Sequence, residues 1–251
     1  MQIDDLNSQN ISNEDQILSY EEIEKFPKSF YTHAEAIFHL KEVGIEIKQT
    51  RVAEWLGVSR ANVSQVVGRM QNSGLIEFND DLKLTKTGEC LAKNIARRHR
   101  ITERFLSEIL NLPWDQVYEE TSRWENVLSP ITEKAMLKML GYPKTGPFGN
   151  PIPYSNYQEK SMLSLLNVES NKTYSIEKIT EELKKDSSMI DFLQTHEMIP
   201  GSTINVADAG DYSITISTNK NDYFGIDQFI AKRVFVTSVS YTHLRAHETL
   251  T

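Results

Sequence analysis

His99 and Glu103 stand four residues apart in the run ARRHRITERFL, which reads as helix, so both side chains leave the same face. An imidazole and a carboxylate so placed can hold a divalent cation, or can form an ordinary ion pair on a solvated basic helix. With one histidine rather than two, H-x-x-x-E is not the zinc-protease signature. A second stretch, EETSRWENVLSP, puts Ser122 and Asn126 on one face, with Glu125 three residues after Ser122. Residues 51–75, RVAEWLGVSRANVSQVVGRMQNSGL, offer a different chemistry. Arg60, Asn62, Ser64, Gln65 and Arg69 fall away from the apolar positions there. With Arg51 they form a set of guanidinium, amide and hydroxyl groups able to bond base edges and phosphates. Ser59 precedes the second helix as its N-cap.

The elements that must position these groups are legible from periodicity. Val52, Ala53, Leu56, Val58, Val63, Val66, Val67 and Met70 recur at helical spacing and form one shared core between two short helices, with Gly57 where the chain turns. Leu75-Ile76-Glu77-Phe78, a turn at Asn79-Asp80-Asp81 and Leu82-Lys83-Leu84-Thr85 read as the two-stranded wing of a winged helix-turn-helix. An amphipathic helix over 30–43 precedes it, with Ala34, Ile37, Phe38 and Leu40 inward. After Thr87-Gly88 a long helix runs from about 89 to 110. Pro113 and Trp114 interrupt it, and another helix covers 114–128. Tyr118 and Trp124 read as packing residues. Val117, Trp124, Val127, Leu128, Met136, Leu137 and Leu140 offer more apolar surface than one small domain needs, which implies a symmetric dimer.

Composition bounds the function. A chain of 251 residues suits two or three small domains, and the 24 or so N-terminal residues are too polar and acidic to bury a core. The net charge of −8 opposes nucleic acid only until it is divided: residues 45–104 carry eleven basic and seven acidic side chains, a local +4 around the helix-turn-helix. The lone Cys90, beside Leu91 and Ala92, reads as core and makes no internal disulfide. With no signal-peptide pattern or long apolar run, the expected compartment is the cytoplasm, with no membrane partner. No phosphate loop, nucleophile elbow or paired-histidine motif speaks for an enzyme. A non-enzymatic rival is an interaction protein whose outward face over 62–69 meets protein instead of DNA.

Further along, residues 174–185 (YSIEKITEELKK) read as a short helix and 189–195 as another. Residues 199–236 alternate apolar and polar side chains between turn residues, as in a small β-barrel. Residues 239–249 match one reading frame of a transposon-type sequencing-library adapter. They are read as translated adapter, which removes His243 and His247 from any metal argument.

The ordered series VAEWLGVS, VSQVVGRMQNSGLI, LTKTG, RRHRITERFL, EETSRWENVLS and PFGNPIP resembles the diphtheria-toxin-repressor family of iron- and manganese-dependent regulators. The resemblance implies an α+β multidomain chain. Its expected parts are a flexible acidic arm (1–28), a winged helix-turn-helix DNA-binding domain (29–95), an all-α metal-binding and dimerisation domain (96–145), a proline-rich linker (146–160) and an SH3-like, FeoA-like β-barrel (161–237), before the adapter-derived tail (238–251). It further implies a homodimer on a palindromic double-stranded DNA operator, repression of metal-homeostasis genes and Mn²⁺ or Fe²⁺ as cofactor. Its ligand positions correspond to Glu35, His99, Glu103, Ser122, Glu125 and Asn126. Here Ser122 stands for the family's Cys or Glu, Asn126 for its His, Tyr118 for another His and Thr32 for Met or Asp. Imidazole and carboxylates remain, a harder set suited to Mn²⁺ or Fe²⁺. The alternative is a regulator of the same fold that has lost metal control. In the barrel, Lys185, Asp186 and Ser188 stand where some members contribute ligands.

Overall fold

The computed structural model describes residues 18–78, 81–125, 127–210, 212–218 and 222–239. They form two compact units: one comprises the chain up to Leu110 with Glu119–Lys144 and Pro151–Asn156, the other Asn111–Tyr118, Thr145–Asn150 and the chain from Tyr157.

The first unit opens with α1 (Tyr20–Glu24), started by a capping box in which Ser19 and Glu22 satisfy each other's backbone N–H. The expected arm is thus shorter than 1–28, because Ile23 is buried in the core and Tyr31 Oη donates to its carbonyl; residues 1–17 lie outside the described residues. Next come α2 (Lys28–Glu42), α3 (Gln49–Leu56) and α4 (Arg60–Asn72). The turn between the last two is closed by Gly57 at φ +66°, with Val58 N–H donating to Ala53 O, a Schellman closure that only a left-handed residue permits. That closure turns Val58 outward, so it is exposed rather than in the shared core. Val52, Ala53, Val63, Val66, Val67 and Met70 are buried as their spacing requires, together with Ala34, Ile37 and Leu40 of α2.

The wing is β1 (Ile76–Phe78) and β2 (Leu82–Leu84), antiparallel, with Ile76 opposite Leu84. Thr85 then caps α5 (Lys86–Glu108), accepting from Gly88 N. Gly88 admits no side chain, since a Cβ there would lie 2.0 Å from Leu75 O. At 23 residues α5 is about 34 Å long. Leu91, Ala92 and Ile95 at one end join the core of the DNA-reading elements, and Ile101 near the other joins Leu128, Met136, Leu137 and Ile152. Two further helices follow, α6 (Trp114–Trp124) and α7 (Pro130–Met139), the latter capped by Ser129. The helix expected over 114–128 therefore ends early. Of the residues expected to face a partner, Val117, Leu128, Met136 and Leu137 are buried within the chain and Val127 is exposed, with further apolar exposure on Ile131, Met139 and Tyr142.

The second unit is built on one antiparallel sheet with the order β3-β8-β4-β5-β6-β7. Its elements are β3 (Leu163–Ser164), β4 (Lys172–Ile179), α8 (Ser187–Thr195), β5 (Thr203–Ala209), β6 (Ser213–Ser217), β7 (Tyr223–Asp227), α9 (Gln228–Ala231) and β8 (Val234–Ser238). The helix expected over 174–185 is instead β4 followed by a 3-10 turn at Leu183–Lys185. Its Glu and Lys favour helix locally, but pairing with β5 and β8 buries Tyr174, Ile176 and Ile179, and tertiary burial outweighs propensity. Asp186 is occupied as the N-cap of α8, accepting from Ser188 N and Met189 N. Among the described residues no pairing joins β7 to β3, so the sheet is open rather than closed into a barrel. The segment expected as a linker is well packed: Phe148 is in this unit's core, and Asn150 Nδ2 donates to Ile179 O at 2.8 Å. β8 continues to Ser238, opposite Tyr174, one residue past the expected domain end, and Val239, the first residue of the adapter match, donates its N–H to Thr173 O; residues 240–251, with the rest of that match, lie outside the described residues.

Candidate functional site

On the DNA-reading side, Ser59 Oγ accepts from Asn62 N at 3.2 Å and starts α4 with its first turn projecting outward. Arg60, Asn62, Ser64 and Gln65 are exposed along one face, opposite buried Val63, Val66 and Val67. Arg51 is exposed on α3 and donates to Glu54 at 2.8 Å. Arg69 is exposed at the helix end, but its guanidinium lies over the Phe30 ring, 5.2 Å from the centroid, so its reach is restrained.

The second constellation forms inside the first unit. His99 on α5 is buried, and its Nδ1 lies 2.6 Å from Glu125 Oε2, just past α6, and 3.5 Å from Glu35 Oε1 on α2. Ligating atoms of Glu35, His99 and Glu125 all fall within 4.8 Å of one another. Glu103 reaches the other ring nitrogen, Nε2, at 3.2 Å. Glu35 and Glu125 thus face Nδ1, while Glu103, which helix spacing pairs with His99 as a joint ligand, meets the opposite edge of the ring and keeps a ligating atom within 4.8 Å of one on His99. Ser122 is exposed, and Asn126 lies outside the described residues. Thr32 is exposed, its hydroxyl donating to Ser29 O at 3.3 Å.

Burial alone would push the His99 imidazole down, but Glu103, Glu125 and Glu35 outweigh it and hold the ring well above the usual histidine range. Glu125 is raised by burial and by repulsion from Glu35, against the pull of His99. Three carboxylates thus surround the His99 ring, a set rich in hard oxygen donors, which is what a divalent cation of the Mn²⁺ or Fe²⁺ kind fits. No signal in the helix spacing of His99 had pointed to His39 and Glu42, which lie alongside. His39 Nε2 is 3.5 Å from Glu35 Oε1, and Arg100 Nη1 donates to Glu42 Oε1 at 3.0 Å. Glu35 and His39 are themselves four apart on α2, the same signature that singled out His99 and Glu103.

Residues 32–84 match the family described as iron dependent repressor, N-terminal DNA binding domain, and residues 85–154 its metal binding and dimerisation domain. The chain is 32% identical over 200 residues to the iron-dependent repressor IdeR of Mycobacterium leprae, covering 74% of this chain and 87% of that protein. The chain belongs to the iron-dependent repressor family. It is also 41% identical over 119 residues to the diphtheria toxin repressor of Corynebacterium diphtheriae, which covers 47% of this chain and 53% of that one. Among solved structures, a manganese-dependent transcriptional repressor in complex with manganese shares the fold with a TM-score of 0.77 at 22% identity, across 84% of this chain and all of that one. The IdeR of T. acidophilum does so with a TM-score of 0.71, also at 22% identity. This family consists of DNA-binding repressors rather than enzymes. Among the described residues no helix is long and apolar enough to cross a membrane.

Proposed function

We propose that this chain is a cytoplasmic, homodimeric repressor of metal-homeostasis genes that binds a palindromic operator when loaded with Mn²⁺ or Fe²⁺. The observation that carries this is the convergence of Glu35, His99 and Glu125 from α2, α5 and the end of α6. A bound divalent ion supplies positive charge between these carboxylates and fixes their separation. The protein does the rest. Glu35 belongs to the helix that packs behind α3 and α4, His99 to the helix shared with the dimerisation elements, and Glu125 to the helical pair beyond it. Glu103 holds the His99 ring from its far edge, and the outward face of α4, with Gln65 at its centre, reads bases. Exposed Val127, Ile131, Met139 and Tyr142 supply the apolar surface a twofold partner would cover. In the second unit, the strand order and the register shifts at Ile176/Lys178 and Val206/Asp208, where a sheet bends, support the SH3-like reading.

A second reading, a repressor without metal control, is favoured by one observation: the imidazolium of His99 already compensates much of the carboxylate charge. Selection from a randomised duplex library separates the two. Metal control predicts an inverted repeat enriched in the presence of Mn²⁺ and lost with a chelator. Equal enrichment in both conditions establishes the metal-free repressor.

A further inference from the structure

His39 is buried at 5% exposure between two carboxylates of its own helix, Glu35 four residues before it and Glu42 three after. Its Nδ1 lies 3.3 Å from Glu42 Oε2 and 3.4 Å from Arg100 Nη2, and its Nε2 lies 3.5 Å from Glu35 Oε1. Arg100 is fully buried on α5, neighbours His99 in sequence, and is anchored again by donating to Pro151 O at 2.5 Å. Trp55, Phe38 and His99 stand around the ring with centroids 6.0, 5.9 and 6.4 Å away, which limits its rotation. Nδ1 thus meets the Arg100–Glu42 pair while Nε2 faces Glu35 Oε1 at ion-pair distance, so one ring contacts both sides.

Resting on the reading of Glu35 as a metal-facing carboxylate, we infer that His39 is a positioning residue of this centre. Its ring bridges the Arg100–Glu42 pair to Glu35 and holds the Glu35 carboxylate toward Glu125 and His99. The reason such a residue is needed is electrostatic. Glu35 and Glu125 repel each other before an ion arrives, and a glutamate on a flexible side chain turns away unless something holds it. Removal of such an outer partner typically weakens metal affinity by about 10–100-fold. A side chain that cannot touch both sides at once, whether apolar or a single amide, loses the bridge.

Mn²⁺ binding to the full chain, followed by loss of the free-ion electron paramagnetic resonance signal, tests this with His39→Leu, His39→Gln, Glu35→Ala and the two double variants. Both His39 variants are expected to bind about tenfold or more weakly, to melt metal-free within a few degrees of wild type, and to add nothing once Glu35 is alanine. Wild-type affinity in both His39 variants, with Glu35→Ala weakened, overturns the inference and leaves the metal reading intact. Full additivity of the two losses also overturns it, since His39 would then act independently of Glu35. A Glu35→Ala variant that binds like wild type overturns the reading of Glu35 itself, and this inference with it.

Discussion

Replacing His99 with leucine removes an imidazole that faces three carboxylates while nearly keeping the side-chain volume. Glu103 and Glu125 have side chains only 1% and 7% exposed, so neither can turn to water without local unfolding. Removing one partner of a buried pair typically costs about 3–5 kcal/mol, because the charges left behind stay desolvated. For a chain of this size that corresponds to a melting temperature lower by about 6–20 °C. The assay is guanidinium and thermal unfolding at pH 7.5 with a chelator present, followed by tryptophan fluorescence and repeated in excess Mn²⁺. Wild type is expected to gain stability with the metal, by about 2.7 kcal/mol when the ion stands at a hundred times its dissociation constant, and His99→Leu to gain little. A metal-free variant within about 1 kcal/mol of wild type would refute the reasoning, since His99 would then not be neutralising buried carboxylates.

Gln65→Ala is expected to relax base preference at one operator position at a cost of about 1–3 kcal/mol, while Arg60→Ala weakens binding to all duplexes and flattens the salt dependence, both read by fluorescence anisotropy across salt. Ile131 is 84% exposed, and Ile131→Glu should shift sedimentation from dimer toward monomer with the metal-free melting temperature unchanged; a wild type that sediments as monomer with metal and DNA present would remove the dimer from the proposal. Burial opposes ionisation of Glu42, but Arg100 beside it and His39 hold its carboxyl at about 2. Because this folded value lies below the unfolded one near 4.5, the stability from this pair is present above pH 4.5 and lost as pH falls toward 2. It amounts to about 3 kcal/mol at 1.36 per unit, so Glu42→Gln should flatten the acid limb of an unfolding titration by that amount.

Features of short sequence range were legible from residue order. The turn at Gly57, the cap at Ser59 and the outward face from Arg60 to Gln65 follow from helical period, capping chemistry and the absence of a Cβ, each set within a turn or two of chain. The likeness to a regulator family supplied the identities of Glu35 and Glu125, which spacing alone could not connect, since they lie far apart in sequence. Only the tertiary structure decided that Glu103 takes the opposite edge of the His99 ring from Glu125, because helix spacing says which residues share a face but not which nitrogen each one meets. It also decided that 172–179 is a strand, since its partners at 203–206 and 234–238 are distant in sequence and pairing with them overrides a helix-favouring composition. His39 became visible for the same reason: its partners Arg100 and His99 lie about sixty residues away, and burial together, not neighbourhood in the chain, makes one imidazole hold the carboxylate of another residue's site.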